Sequence, residues 1–217
     1  DHLVIIILIM ISSTNKFEQL PKEKQARIVD ASVVEFSERN YETASMNKVV
    51  ERAGIAKGSL FNYFKTKSSL YHYIYHLAIG EVKAYLRKVR DETVDLPFEK
   101  RLTKIVDSGV QFITDHPRLA RIYFRLIYSA DSPNRQKIVT ELQVLSNDYL
   151  GEIIQDAMDR NELDPNLDKG QAVFFLDSVL NRFLKDYHEA KSHGDVDQFN
   201  RDEWVKGITI FFTKGLK

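Results

Sequence analysis

From Lys22 onward the apolar side chains recur every three or four residues, the spacing of one face of a helix. Val29, Ser32, Val33 and Phe36 set that rhythm. Leu70, Ile74, Leu77, Ala78, Val82, Tyr85, Leu86 and Val89 continue it. No alternating Val/Ile/Thr run bounded by turn signals is long enough to insist on a strand. Only 9 glycines and 5 prolines interrupt 217 residues, and the prolines fall between periodic stretches. The chain must therefore bury its apolar surface by packing helix on helix, and the fold class expected is all-α. With 43% hydrophobic and 29% charged residues it has the material for a core, which excludes a disordered chain.

The rhythm predicts helices over about 22–39, 46–53, 57–63 and from 67 onward. After the charge run Arg87–Glu92 and Leu96–Pro97 it predicts helices over 98–115, 118–129, 133–160, 168–192 and 201–215. Pro21, Pro117 and Pro133 suit first-turn positions. Ser45 is a good N-cap, its hydroxyl able to accept from a first-turn N–H. Gly54 ends the second helix as a left-handed residue.

Residues 45–64, SMNKVVERAGIAKGSLFNYF, hold two short helices about a tight turn at Gly54. Val49, Val50, Ile55, Leu60 and Phe61 can seal the pair. This is the layout of a DNA-binding helix-turn-helix, whose second helix enters the major groove. The formal net charge of the chain is zero, which says nothing until it is partitioned. Between Thr43 and Lys67 stand Lys48, Arg52, Lys57, Lys65 and Lys67 against the single acid Glu51, a local charge of +4. The remainder carries −4. A basic patch on a helix-turn-helix is the electrostatic footprint of phosphate binding.

Phe36, Tyr41, Ser45–Met46, Val49, Ala53–Gly54–Ile55, Lys57 to Phe61, Tyr63–Phe64, Lys67 and Leu70 stand in register with one known pattern. Over residues 22–75 the chain resembles the N-terminal signature of the TetR family of transcription regulators. Three positions depart from it: Asn40 where Gly is usual, Phe61 where Tyr is common, and Val50 in place of a frequent Ala. Asn also tolerates the left-handed conformation that such a turn requires.

The resemblance implies that Ser45 and Tyr63 touch phosphates. It implies that Lys67 holds a phosphate at the start of the fourth helix, where the helix terminus adds positive potential. It places Asn47, Lys48, Lys57, Gly58, Ser59 and Asn62 in or beside the major groove. There Lys57 could donate to guanine, and Asn47 or Asn62 could pair with an adenine edge. Leu60, Phe61 and Phe64 are expected in the core.

By the same resemblance the C-terminal region binds a small effector and dimerises. Aromatic residues are dense there, and Phe112, Tyr123, Phe124, Tyr128 and Phe174, with the polar Asp177 and Asn181, are the candidate effector-binding residues. Arg125 is a further polar group among apolar neighbours. The segment AVFFLDSVL, 172–180, is apolar nearly all round and should be buried on more than one side. The last two helices, rich in Trp204, Phe211 and Phe212, would form a two-fold homodimer interface. Gly80, inside the fourth helix, is either a close-packing point or a bend between effector domain and DNA reader.

An enzyme or metal protein is the rival class. Cysteine is absent, which removes disulfides, thiolate metal sites and cysteine nucleophiles and is compatible with a reducing cytosol. The Glu-x-x-His pair of di-iron bundles is missing. So are a P-loop and a G-x-S-x-G elbow. His72 and His76 share a face but lack a third ligand nearby in sequence. Asp186, His188 and His193 are read with the same caution.

At the N-terminus nine apolar residues, Leu3–Ile11, follow Asp1 and His2. The run is too short for a membrane span and lacks the basic flank of a signal peptide. Residues 1–14 are thus an apolar extension. Either residues 1–9 are not native sequence, Met10 being a natural start, or the segment packs on a neighbouring groove.

The expectation is an N-terminal three-helix helix-turn-helix domain, 15–66, and a C-terminal helical bundle, 67–217, for ligand binding and dimerisation. The function expected is a cytoplasmic, non-enzymatic regulator with no cofactor, no metal and no membrane partner. As a homodimer it would repress from a palindromic double-stranded DNA operator and be released by a small apolar or aromatic effector. Activation on the same fold is the alternative.

Overall fold

The computed structural model describes residues 16–129, 132–133, 135–195 and 200–215. Residues 1–15, on which the reading of the apolar extension falls, lie outside the described residues. Among the described residues there is helix and no strand. The helices are α1 (Lys22–Glu38), α2 (Met46–Ala53), α3 (Lys57–Tyr63), α4 (Lys67–Thr93), α5 (Phe98–Asp115), α6 (Pro117–Tyr128), α7 (Arg135–Asp159), α8 (Lys169–His193) and α9 (Arg201–Gly215).

These ranges follow the apolar periodicity to within two residues, because each helix exists to bury its stripe. Gly54 ends α2 in the left-handed conformation, φ 61°, as its position required. Gly194 does the same for α8, φ 81°. Asp168 caps the head of α8 by accepting from the Gln171 N–H at 2.8 Å.

Two local expectations are corrected. Ser45 is the N-cap of α2, but its hydroxyl makes no capping bond. Its own N–H instead donates to the Glu35 carboxylate at 2.9 Å. Asn40 is not left-handed: Asn161 is the non-glycine residue with positive φ among the described residues. Asn40 shapes its turn through its side chain, whose Oδ1 accepts from the Thr43 N–H (2.9 Å) and hydroxyl (2.6 Å).

The described chain divides into two compact units. The first comprises the residues up to Ile79 with Arg121–Pro133; the second comprises Gly80–Ala120 with the residues from 134 onward. The first half of α4 and most of α6 thus belong with α1–α3. The core of this unit gathers Ile28, Phe36, Val49, Leu60, Phe64, Leu70 and Ile74, all buried.

In the second unit α7 packs on α8, and α5 on α9 and α8. At Gly109 a Cβ would stand 2.7 Å from Leu184 Cδ1, so the absence of a side chain lets α5 approach α8. The segment 172–180 differs from its expectation. Ala172, Val173, Leu176 and Leu180 are buried, but Phe174 and Phe175 are 65% and 52% exposed in the single chain. Trp204 and Phe211 on α9 are likewise exposed, at 52% and 64%.

Candidate nucleic-acid interface

α2 and α3 are too short to be stable alone, so packing fixes them. Val49, Ala53 and Leu60 are buried where the pair meets the rest of the unit. Fixing this inner face leaves Asn47 and Lys48 exposed on α2, and Lys57, Gly58 and Asn62 exposed on α3. A Cβ added at Gly58 would meet nothing within 4 Å, so the backbone of α3 is open to a close-approaching partner there. Ser59, Tyr63 and Lys67 are half-buried at the edge of this surface, and Ser45 lies at the head of α2.

Phe61 corrects the sequence reading. Leu60 and Phe64 are buried as expected, but Phe61 is 37% exposed. On a helix of seven residues the inner stripe is filled by positions 60 and 64, and position 61 turns outward beside Lys57. The Lys57 ammonium stands 5.9 Å from the Phe61 ring centre.

The electrostatics of the surface are set by neighbours. Lys48 donates to Glu51 at 2.9 Å on an exposed face. That bond and the ammonium's charge hold the Glu51 carboxyl below its ordinary range. Arg52 donates to Glu38 at 2.9 Å, which raises the guanidinium above its already high value.

The Lys67 ammonium donates to the carbonyls of Glu42 (3.0 Å) and Ala44 (3.2 Å) and lies 4.7 Å from the Tyr41 ring centre. It therefore ties the loop before α2 to the head of α4, with one of its three N–H bonds left over from those two carbonyls.

Glu35, which sequence reasoning left unmarked on α1, is a hidden support. Its side chain is fully buried; it accepts the Ser45 N–H and lies 3.7 Å from Arg39 and 3.9 Å from Arg52. An acid at a core-facing helical position beside a basic surface was the available signal. Arg125 on α6 is a second support. Its guanidinium donates to the carbonyls of Phe36 (3.0 Å), Ser37 (3.3 Å) and Arg39, satisfying the open C-terminal end of α1.

The seven candidate effector residues are divided between the two units. Tyr123, Phe124 and Tyr128 belong to the first unit; Phe112, Phe174, Asp177 and Asn181 belong to the second. Phe124 and Phe112 are buried, whereas Tyr128 and Phe174 are exposed. Asp177 and Asn181 do come together: Asn181 Nδ2 donates to the Asp177 carboxylate at 2.9 Å, and Ser146 of α7 donates to the same oxygen. The Phe112 ring centre lies 5.8 Å from that of Tyr85, edge-on, and 5.6 Å from that of His116, tilted. Tyr85 donates to Asp115 at 2.6 Å, which pushes its phenol up to about 12.

Among the described residues no group of three His, Cys, Asp or Glu could hold a metal ion, and no helix is long and apolar enough to cross a membrane.

Comparison with known proteins agrees with this arrangement. The family described as "Bacterial regulatory proteins, tetR family" matches residues 28–74. The family "Tetracyclin repressor-like, C-terminal domain" matches residues 96–207. The chain is 21% identical over 197 residues to the HTH-type transcriptional regulator YhgD of Bacillus subtilis, covering 89% of this chain and 97% of that one. Among solved structures, a TetR family regulator from Chloroflexus aurantiacus is 28% identical, with a TM-score of 0.69 over 93% of this chain and 97% of the other. FadR of Bacillus subtilis, crystallised with stearoyl-CoA, shares the fold at 14% identity, with a TM-score of 0.71 over 88% of this chain and 99% of its own. Helix-turn-helix, basic surface and both matched regions converge: the chain belongs to the TetR family, as a DNA-binding transcription regulator and not an enzyme.

Proposed function

We propose that the chain is a ligand-released repressor that binds a palindromic operator as a homodimer. Residues 15–66 form its DNA reader and residues 67–217 its effector and dimerisation domain. The observation that carries the reading is the outward face of α3, where Lys57, Gly58 and Asn62 stand exposed while Leu60 is fully buried. Lys57 and Asn62 read base edges, with Asn47 and Ser59 beside them. Ser45, Lys48, Tyr63 and Lys67 hold phosphates, which set register and not sequence. A two-fold dimer through α8 and α9 places two α3 helices about one helical turn of DNA apart, roughly 34–36 Å. The exposed Phe174, Phe175, Trp204 and Phe211 support that interface.

Selection of duplexes from a random pool tests the reading. A two-fold symmetric site is expected, and failure to enrich any sequence contradicts it.

The effector in this reading is a small, mainly apolar molecule that favours a conformation with mismatched half-site spacing. Acyl-CoA thioesters are the first class to assay, because FadR of Bacillus subtilis was crystallised with stearoyl-CoA. Stearoyl-CoA added to the protein–duplex complex should release DNA where coenzyme A alone does not. If neither does, the acyl class is wrong and the DNA-binding reading stands on its own selection experiment.

A further inference from the structure

Ahead of α1, residues 16–18 make a helical turn fastened to the head of that helix. The Leu20 N–H donates to the Phe17 carbonyl at 3.1 Å. Gln25 Nε2 reaches back to the carbonyls of Glu18 (2.9 Å) and Leu20 (2.8 Å). Phe17 is fully buried. Its ring centre lies 5.0 Å from that of Phe64, 5.2 Å from Tyr73 and 6.1 Å from Tyr63, edge-on to the last two. Tyr63 and Phe64 are the last residue and the C-cap of α3, and Tyr73 lies in the first half of α4. The Tyr63 ring also has the Lys24 ammonium 5.7 Å from its centre. One end of the recognition helix is therefore held by residues 17–24, which lie outside the helix-turn-helix and ahead of the matched stretch 28–74.

A helix of seven residues has no rigidity of its own, so the direction of its last side chains is set by what packs on them. Aromatic edges are directional in a way aliphatic packing is not. We infer that Phe17 is a positioning residue for DNA binding: its ring fixes the Tyr63 phenol where it meets a backbone phosphate. This rests on the reading of α3 as the recognition helix. Because phosphates are common to all sequences, Phe17 governs affinity and leaves sequence preference alone.

The test uses the full chain, a selected duplex and a scrambled one, with affinities read by fluorescence anisotropy and folding by circular dichroism. Phe17→Leu keeps the apolar burial and should weaken both duplexes by the same factor, roughly three- to tenfold. Phe17→Met is the second variant, used if Leu does not fold, and carries the same expectation. Tyr63→Phe should cost roughly fivefold by losing one hydrogen bond. The double variant Phe17→Leu/Tyr63→Phe should bind about as Phe17→Leu alone, since the hydroxyl is already misplaced. A folded Phe17 variant that binds like wild type overturns the inference, and so do losses that simply multiply in the double variant. Lys57→Ala separates the two levels: if it too binds both duplexes like wild type, the recognition-helix reading fails and this inference falls with it.

Discussion

At the scale of single residues, the two lysines at the ends of the reader should behave differently. Lys57 is exposed on the outward face of α3, whereas Lys67 is tied to the carbonyls of Glu42 and Ala44. Lys57→Ala should change which duplexes are preferred. Lys67→Ala should weaken all duplexes alike and reduce the salt slope by about one unit. It should also lower the melting temperature, because the loop before α2 loses its tie. Affinity measured against salt on two unrelated duplexes distinguishes the two effects.

Glu35→Ala should destabilise the chain by about 1–3 kcal/mol, since the Ser45 N–H loses its acceptor; chemical denaturation reads this directly. Such residues mark where sequence reading stops. The exposed Lys57, Gly58 and Asn62 were legible because register with a known signature places them. Glu35 and Arg125 were not, because their partners lie 10 and about 88 residues away in the chain. Phe61 was misplaced because hydrophobicity alone does not say which side of a two-turn helix a ring occupies.

At the scale of elements, two glycines inside helices have opposite meanings. A Cβ at Gly80 would meet nothing within 4 Å, so close packing does not explain the glycine. The two compact units also divide between Ile79 and Gly80, in the middle of α4. Gly80→Ala should therefore raise stability by about 1 kcal/mol and, on the bend reading, blunt effector-driven release of DNA. Gly109→Ala should lower stability by about 1–3 kcal/mol, because Leu184 must give way. Thermal melts of the two variants should move in opposite directions. Periodicity gave the helix ranges almost unaided, since burial and spacing are properties of each element. It could not separate a helix buried by its own chain from one with an exposed aromatic face, as Phe174 and Phe175 show.

At the scale of the whole molecule, a formal charge of zero conceals a basic reading surface balanced by an acidic remainder. A chain with no net charge can thus still present a locally attractive surface to DNA. The exposed aromatic residues of α8 and α9 belong to the same level, as the face proposed for a second protomer. Phe211→Glu should shift the chain toward monomer in sedimentation and, by removing the second half-site contact, sharply weaken binding to a palindromic duplex while sparing binding to a single half-site.

The central claim is that the outward face of α3, with the head of α4, carries DNA contacts. It is tested most directly by the affinity of the Lys57→Ala/Lys67→Ala double variant for the selected duplex, beside wild type, with folding confirmed for both. A loss of at least about tenfold is expected from removing one base contact and one phosphate contact. Equal affinity in a folded double variant would contradict the account.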